Sequence, residues 1–381
     1  MSSSSMNGSD STLVHTGTHG IGMDSVFYGR LVRNRRVDDT TFYPLLVTYI
    51  LLMMMGTISN GLVIWVGVRH RSQRCLHQLL MINLALSDLL LSLVTMPLTL
   101  MEIVAFSWPL GNYPFMCRLT GCLEAISVYV STLTIVAIAT DRYHLIVHPS
   151  RERMRALGGT ILVLSIWLIS ICLAAPLYMY RSLIHLPLNQ MAKLTPLSPS
   201  LLTFPIQSLD YCIEQWPSRH AAFLYSVASI IVQFVVPVSI LIVAHAGICR
   251  KLHSRLRTSA SALGLARADA DVAKTHQLLT AITCTFCLCW MPLNLFNLAV
   301  DFFGPFDWQE WLLTVLAVCH LAGVSSACFN PLYYGWLSQK FQQDLLQVLP
   351  CFNHRRVEPK ATALLQVHYN NTGEIHISLR A

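Results

Sequence analysis

FYPLLVTYILLMMMGTISNGLVIWVGV, residues 42–68, contains no Asp, Glu, Lys or Arg. A helix that crosses a bilayer needs about 20 mostly apolar residues, and this stretch supplies them. The buried helix of a soluble protein would account for one such run. Six more follow. Gln78 to Met101 carries Asp88 as its single charge, and Arg118 to Thr140 carries Glu124 internally, with Asp141 and Arg142 just past its end. Leu157 to Tyr180, Ala221 to Cys249, Thr275 to Val300 and Trp311 to Leu337 contain no Asp, Glu, Lys or Arg. Short polar loops separate the runs. The simple reading is an all-α membrane protein, with seven helices crossing alternately over residues 42–337.

Composition agrees. Of 381 residues, 54% are hydrophobic and 12% charged, against roughly 25% charged in soluble domains. The net charge of +7 invites a nucleic-acid reading. However, the basic residues sit in short clusters between apolar runs, which points to membrane orientation instead. Twelve cysteines are too sparse for a small disulfide scaffold, and several lie in apolar runs where a buried thiol is ordinary.

The loops give the orientation. Arg69, Arg71 and Arg74 follow the first run, and Arg151, Arg153 and Arg155 follow the third. Arg250, Lys251, Arg255, Arg257, Arg267 and Lys274 flank or fill the loop after the fifth. The loop before Cys117 has no Lys or Arg, and that between the sixth and seventh runs holds Asp301, Asp307 and Glu310. The positive-inside rule makes the first group cytoplasmic, with the N-terminus outside the plasma membrane and the C-terminus inside. Residues 1–41, rich in Ser, Thr and Gly, read as a flexible extracellular segment without a cleavable signal peptide. Asn7-Gly8-Ser9 is a glycosylation sequon on that side, whereas Asn370-Asn371-Thr372 falls in the inner tail and reads as chance.

Ionisable residues inside a bilayer cost about 2.5–3.5 kcal/mol each on insertion scales, so each is a candidate for function. Asp88 must face the bundle interior, either at a functional site or as a structural hub with Asn60 and Asn330. Glu124 stands near the outer end of its run, where it meets a cationic ligand group or is satisfied internally. Pro176, Pro237, Pro292 and Pro331 interrupt four runs, and kinks in four suit a bundle that changes shape.

Asn60-Gly61-Leu62-Val63, Asn83-Leu84-Ala85-Leu86-Ser87-Asp88, Asp141-Arg142-Tyr143, Trp167, Cys289-Trp290-Met291-Pro292 and Asn330-Pro331-Leu332-Tyr333-Tyr334 occur in order, each on its expected run. Together they resemble the rhodopsin-like (class A) G-protein-coupled receptors, over roughly Phe42 to Cys351. The resemblance implies a disulfide between Cys117 and Cys212, both facing the oxidising exterior. It implies that Arg142 beside Asp141 is a cytoplasmic lock that opens to admit a heterotrimeric G protein. Trp290 becomes the switch beneath the ligand site, and Asp88 with Ser131 and Asn330 an internal sodium site. Ser326 stands where the family often has Asn. Tyr334 matches the tyrosine that swings inward on activation. Its usual partner, a tyrosine eight residues past Pro237, is here His245, either a pH-responsive change or one without consequence.

Past the last run, Phe341, Leu345, Val348 and Leu349 recur at helical spacing, which predicts a membrane-surface helix over 338–350. Cys351 then opens the cytoplasmic tail, 351–381, as a palmitoylation candidate or a plain thiol. Ser254 to Asp271 and that tail are expected to be flexible. Arrestin and receptor kinases are expected partners.

Val147-His148-Pro149 and Ser325-Ser326-Ala327-Cys328-Phe329-Asn330-Pro331 look most like the neuropeptide Y, prolactin-releasing peptide and short neuropeptide F receptor group. That likeness implies a peptide ligand ending in an amidated Arg-Phe or Arg-Tyr. Asp301 falls where the group pairs a carboxylate with the ligand arginine. Glu124 stands where these receptors often carry Gln. Asp210, Glu214, Asp307 and Glu310 add attraction for a basic peptide or are solvated loop charges. The seventh run has no lysine, so no retinal Schiff base can form there. An amine ligand held by Glu124 is the alternative within the class. A transporter would show repeated halves, and none are seen. An enzyme is not expected, because His245, His276 and His320 read as isolated, without metal-ligand spacing or a paired nucleophile.

Overall fold

The structure, a computed structural model, describes residues 29, 32–69, 76–148, 156–187, 208–258, 262–303, 310–337, 341–343, 345, 365–369 and 375–379. Among the described residues, seven helices are long and apolar enough to cross a membrane. The first is Asp39–Arg69, the second Leu76–Val104, the third Pro114–Val147 and the fourth Ala156–Tyr180. The fifth spans Arg219–Lys251, its helix continuing to Thr258. The sixth is Ala262–Phe303 and the seventh Glu310–Leu337.

Every apolar run becomes one helix, but several helices outrun their runs. The third begins at Pro114, which fits a first turn because proline has no N–H to leave unpaired. It continues through Asp141 and Arg142, which therefore lie inside the helix rather than beyond it. It stops at His148, whose φ −122°, ψ 65° has left the helical region, as befits a residue before proline. The sixth helix starts at Ala262, not Thr275. Residues 262–271, expected from sequence to be flexible, thus lie within this helix, where their Ala, Leu and Arg are strong helix formers.

Two spans contain a wide π turn, Leu91–Thr95 in the second and Ile231–Val235 in the fifth. Each is followed within two residues by a proline, Pro97 and Pro237. Such a turn carries one extra residue, which relieves the clash a proline would make with the preceding turn. Proline sits inside the fourth, sixth and seventh helices at Pro176, Pro292 and Pro331.

The core runs along the bundle axis through Tyr49, Leu84, Val128, Ile135, Phe286, Trp290, Val324 and Tyr334. Outward faces are equally apolar. Leu51, Ile58, Leu164, Leu168, Leu288 and Trp336 are exposed, a surface suited to hydrocarbon and not to water.

An antiparallel hairpin, absent from the sequence reading, links the fourth and fifth spans. β1 is Arg181–Pro187 and β2 is Ser208–Glu214, with Leu183 opposite Cys212. The Cys117–Cys212 disulfide ties it to the first turn of the third span. Trp108 N–H donates to the Asp210 carbonyl at 2.7 Å, fixing the hairpin to the segment after the second span. A second antiparallel pair, β3 (Leu365–Tyr369) with β4 (Ile375–Leu379), forms in the tail expected to be flexible. Phe341 is buried, packing 6.4 Å from the Tyr334 ring. Val348, Leu349, Cys351 and Asn7 lie outside the described residues, as does Asp307.

Candidate functional site

Midway through the bundle, Asp88 is almost wholly buried. Asn330 Nδ2 donates to one of its carboxylate oxygens at 2.8 Å, and the Ser131 hydroxyl donates to the other at 3.3 Å. Ser131 also meets the Ser87 hydroxyl at 2.9 Å. The sequence reading brings Asp88, Ser131 and Asn330 together correctly. Asn60 does not join them, because its amide donates to the backbone carbonyls of Gly56 and Ala327. The result is a staple between the first and seventh helices. Trp290 donates to the Ser326 hydroxyl at 2.9 Å. A methyl group on Gly323 would lie 2.8 Å from the Trp290 ring, so only glycine lets the indole pack there.

Asn83 joins three helices, donating to Thr134 Oγ1 at 2.8 Å and accepting from Trp167 Nε1 at 2.9 Å. Trp167→Phe keeps the ring but removes the donor. The expected loss is about 1 kcal/mol of stability, read as a lower unfolding midpoint of the detergent-solubilised protein. An unchanged midpoint would show that this bond contributes nothing.

At the far end from the hairpin, Arg142 Nε stands 3.8 Å from an Asp141 oxygen. Tyr143 is packed so closely by Gly247 of the fifth span that a larger residue would collide with its ring. Tyr334 is buried, and its hydroxyl has no hydrogen-bond partner among the described residues. His245 is exposed and meets Cys249 Sγ at 3.6 Å, so it does not face Tyr334 as a bridging partner in this state.

The hairpin end holds the candidate ligand residues. Glu124 is not free. His320 Nε2 lies 3.3 Å from its Oε1 and Thr99 donates to its Oε2 at 3.3 Å, while His320 Nδ1 meets the Tyr49 hydroxyl at 2.6 Å. His320, read from sequence as isolated, is therefore the middle of a buried chain across four helices. Spacing within one helix could not reveal a partner 271 residues away. Asp210 pairs with His185 at 2.6 Å. Glu214 accepts from Trp216 at 2.8 Å and lies 4.0 Å from Arg181.

Arg181 was missed. It opens β1 and reaches inward to pair with Glu102, a carboxylate one residue past the predicted second run. It also donates to the Cys117 carbonyl at 3.4 Å. Burial works against its charge, but the carboxylates of Glu102 and Glu214 outweigh that and hold the guanidinium above its ordinary value. Asp301 accepts a hydrogen bond from the Ser226 hydroxyl of the fifth span. Arg181 stands beside Glu102 and Glu214, and a histidine beside Glu124 and Asp210; among the described residues Asp301 has no arginine, lysine or histidine in ion-pair reach.

The 7 transmembrane receptor (rhodopsin family) pattern matches residues 59–334. The chain belongs to the rhodopsin-like family of G-protein-coupled receptors. This receptor is 39% identical to the neuropeptide F receptor of Drosophila melanogaster over 333 residues, 86% of the chain and 66% of that protein. It is 31% identical to the neuropeptide Y receptor type 6 of Mus musculus, covering 80% of each chain. With the neuropeptide Y receptor type 2 of Homo sapiens it shares 28% identity, over 81% of the receptor and 76% of the relative. The seven helices and the disulfide are those expected of a multi-pass membrane receptor.

Proposed function

We propose that the chain is a plasma-membrane receptor for an extracellular neuropeptide whose amidated Arg-Phe or Arg-Tyr end reaches Asp301, and that it activates a heterotrimeric G protein. The carrying observation is Asp301 itself, half-buried between the fifth and sixth spans and with no basic side chain in ion-pair reach among the described residues. A ligand guanidinium would supply that cation through a bidentate pair, among the stronger charged contacts. The names of the similar receptors support a peptide over other ligand classes. An amine held by Glu124 would have to displace His320 first, so the peptide reading is preferred.

The disulfide and the loop charges support an outward hairpin end. They leave the Asp141–Arg142–Tyr143 end to the G protein and, after activation, to kinases and arrestin. A sodium ion suits the middle of the bundle. Asp88 is buried with no protein cation among its contacts, an arrangement that is costly unless the charge is compensated. The oxygens of Asp88, Ser131 and Asn330 are hard donors that could hold the ion.

The test is a calcium and cyclic-AMP screen of transfected cells against peptides with amidated Arg-Phe and Arg-Tyr ends, with Asp301→Ala alongside. The variant is expected to need roughly a hundredfold more of an active peptide, as for loss of one partner in a half-buried charged pair. Equal potency on both receptors would refute the arginine assignment.

A further inference from the structure

We propose that His144 and His148, at the last turn of the third span, form a binding site for a transition-metal ion of the zinc class. The two residues are four apart. His148 N–H donates to the His144 carbonyl at 3.0 Å, so helical spacing holds as far as the cap and both side chains share one face. Their rings stand 6.1 Å apart, centroid to centroid, with planes 38° from each other. Two histidines at this spacing on a helix can offer neighbouring nitrogens to a single ion.

The rings are also braced. Tyr143 meets His144 edge-on at 5.6 Å and His148 at 6.2 Å, and Gly247 of the fifth span backs the tyrosine ring. Bracing lowers the entropy lost when an ion fixes the pair. His148 is exposed and His144 partly so, with its Nδ1 buried, so an ion reaches the pair from the His148 side. His144 Nδ1 makes no hydrogen bond among the described residues, so no protein acceptor commits that ring to one tautomer. Two protein ligands leave the remaining positions to water, as in open zinc sites. The ion would sit about one helical turn past Arg142. If that arginine is the cytoplasmic lock that the receptor family implies, and its end of the bundle meets the G protein as proposed above, a dication there restrains it; the binding claim does not depend on this.

The test is calorimetric titration of zinc ions into the full chain in lipid nanodiscs, comparing wild type with His144→Asn, His148→Asn and the double variant. A shared chelate predicts that either single change weakens the site at least about tenfold and that the double is no worse than a single. Singles that each weaken binding by clearly less than about tenfold, or no change in any variant, would overturn the site and leave adventitious zinc only. Cys249→Ser serves as the control for the nearby His245–Cys249 pair. It is expected to keep full affinity, and loss of binding there would move the site to the fifth span and refute the proposal. Nucleotide exchange on purified G protein, with and without zinc, tests the consequence separately. Zinc is expected to slow exchange through wild type and not through the double variant, and equal exchange in both would remove the restraint on Arg142.

Discussion

Arg181→Met is expected to destabilise the receptor by about 3–5 kcal/mol, the cost of leaving a buried charge without its partner. Arg181 is 11% exposed and Glu102 21%, so water can repair little of the loss. Removing the cation strands Glu102 and withdraws charge compensation from Glu214 as well. The decisive comparison is with Arg181→Met combined with Glu102→Gln, where no uncompensated carboxylate remains at that position. The double variant should recover most of the loss in unfolding midpoint and surface expression. If the double is as damaged as the single, the pair matters through packing and the electrostatic account is wrong.

Cys212→Ser ranks next. The disulfide closes a loop of 95 residues, for which chain entropy gives about 4–5 kcal/mol. Other contacts of the hairpin, from Trp108 to the Asp210 carbonyl and from Arg118 to the Arg181 carbonyl, survive the change. Cys117→Ser should therefore cost the same as Cys212→Ser, and the double replacement no more than either. Non-reducing peptide mapping with thermal unfolding reads both. A double variant clearly worse than the singles would mean that the cysteines contribute separately from their bond.

Hydropathy located all seven spans because the cost of a charge in hydrocarbon is steep, and it misjudged their ends because helices need not stop where hydrocarbon stops. Asp141 and Arg142 illustrate this, since backbone hydrogen bonds continue through them. The Asp88 cluster was legible because Asp88 and Asn330 stand in recognisable motifs and the receptor resemblance sets Ser131 beside them. The Tyr49–His320–Glu124 chain and the Arg181–Glu102 pair were not. Their members come from elements remote in sequence, and only packing brings them together. The π turns leave a fainter trace in sequence, a proline just beyond each, and a proline alone signals a kink rather than a widened turn.

Those two wide turns matter to how this architecture can change. An α-helix turns about 100° per residue, so one surplus residue rephases everything beyond it by that angle. Thr99 and Glu102 lie beyond Leu91–Thr95, and Ser226 lies before Ile231–Val235. Deleting a single residue from either turn would swing those groups around their helix while leaving the opposite half in place. The half of the bundle remote from the hairpin can thus be inherited unaltered while the hairpin-end half is re-aimed by one codon.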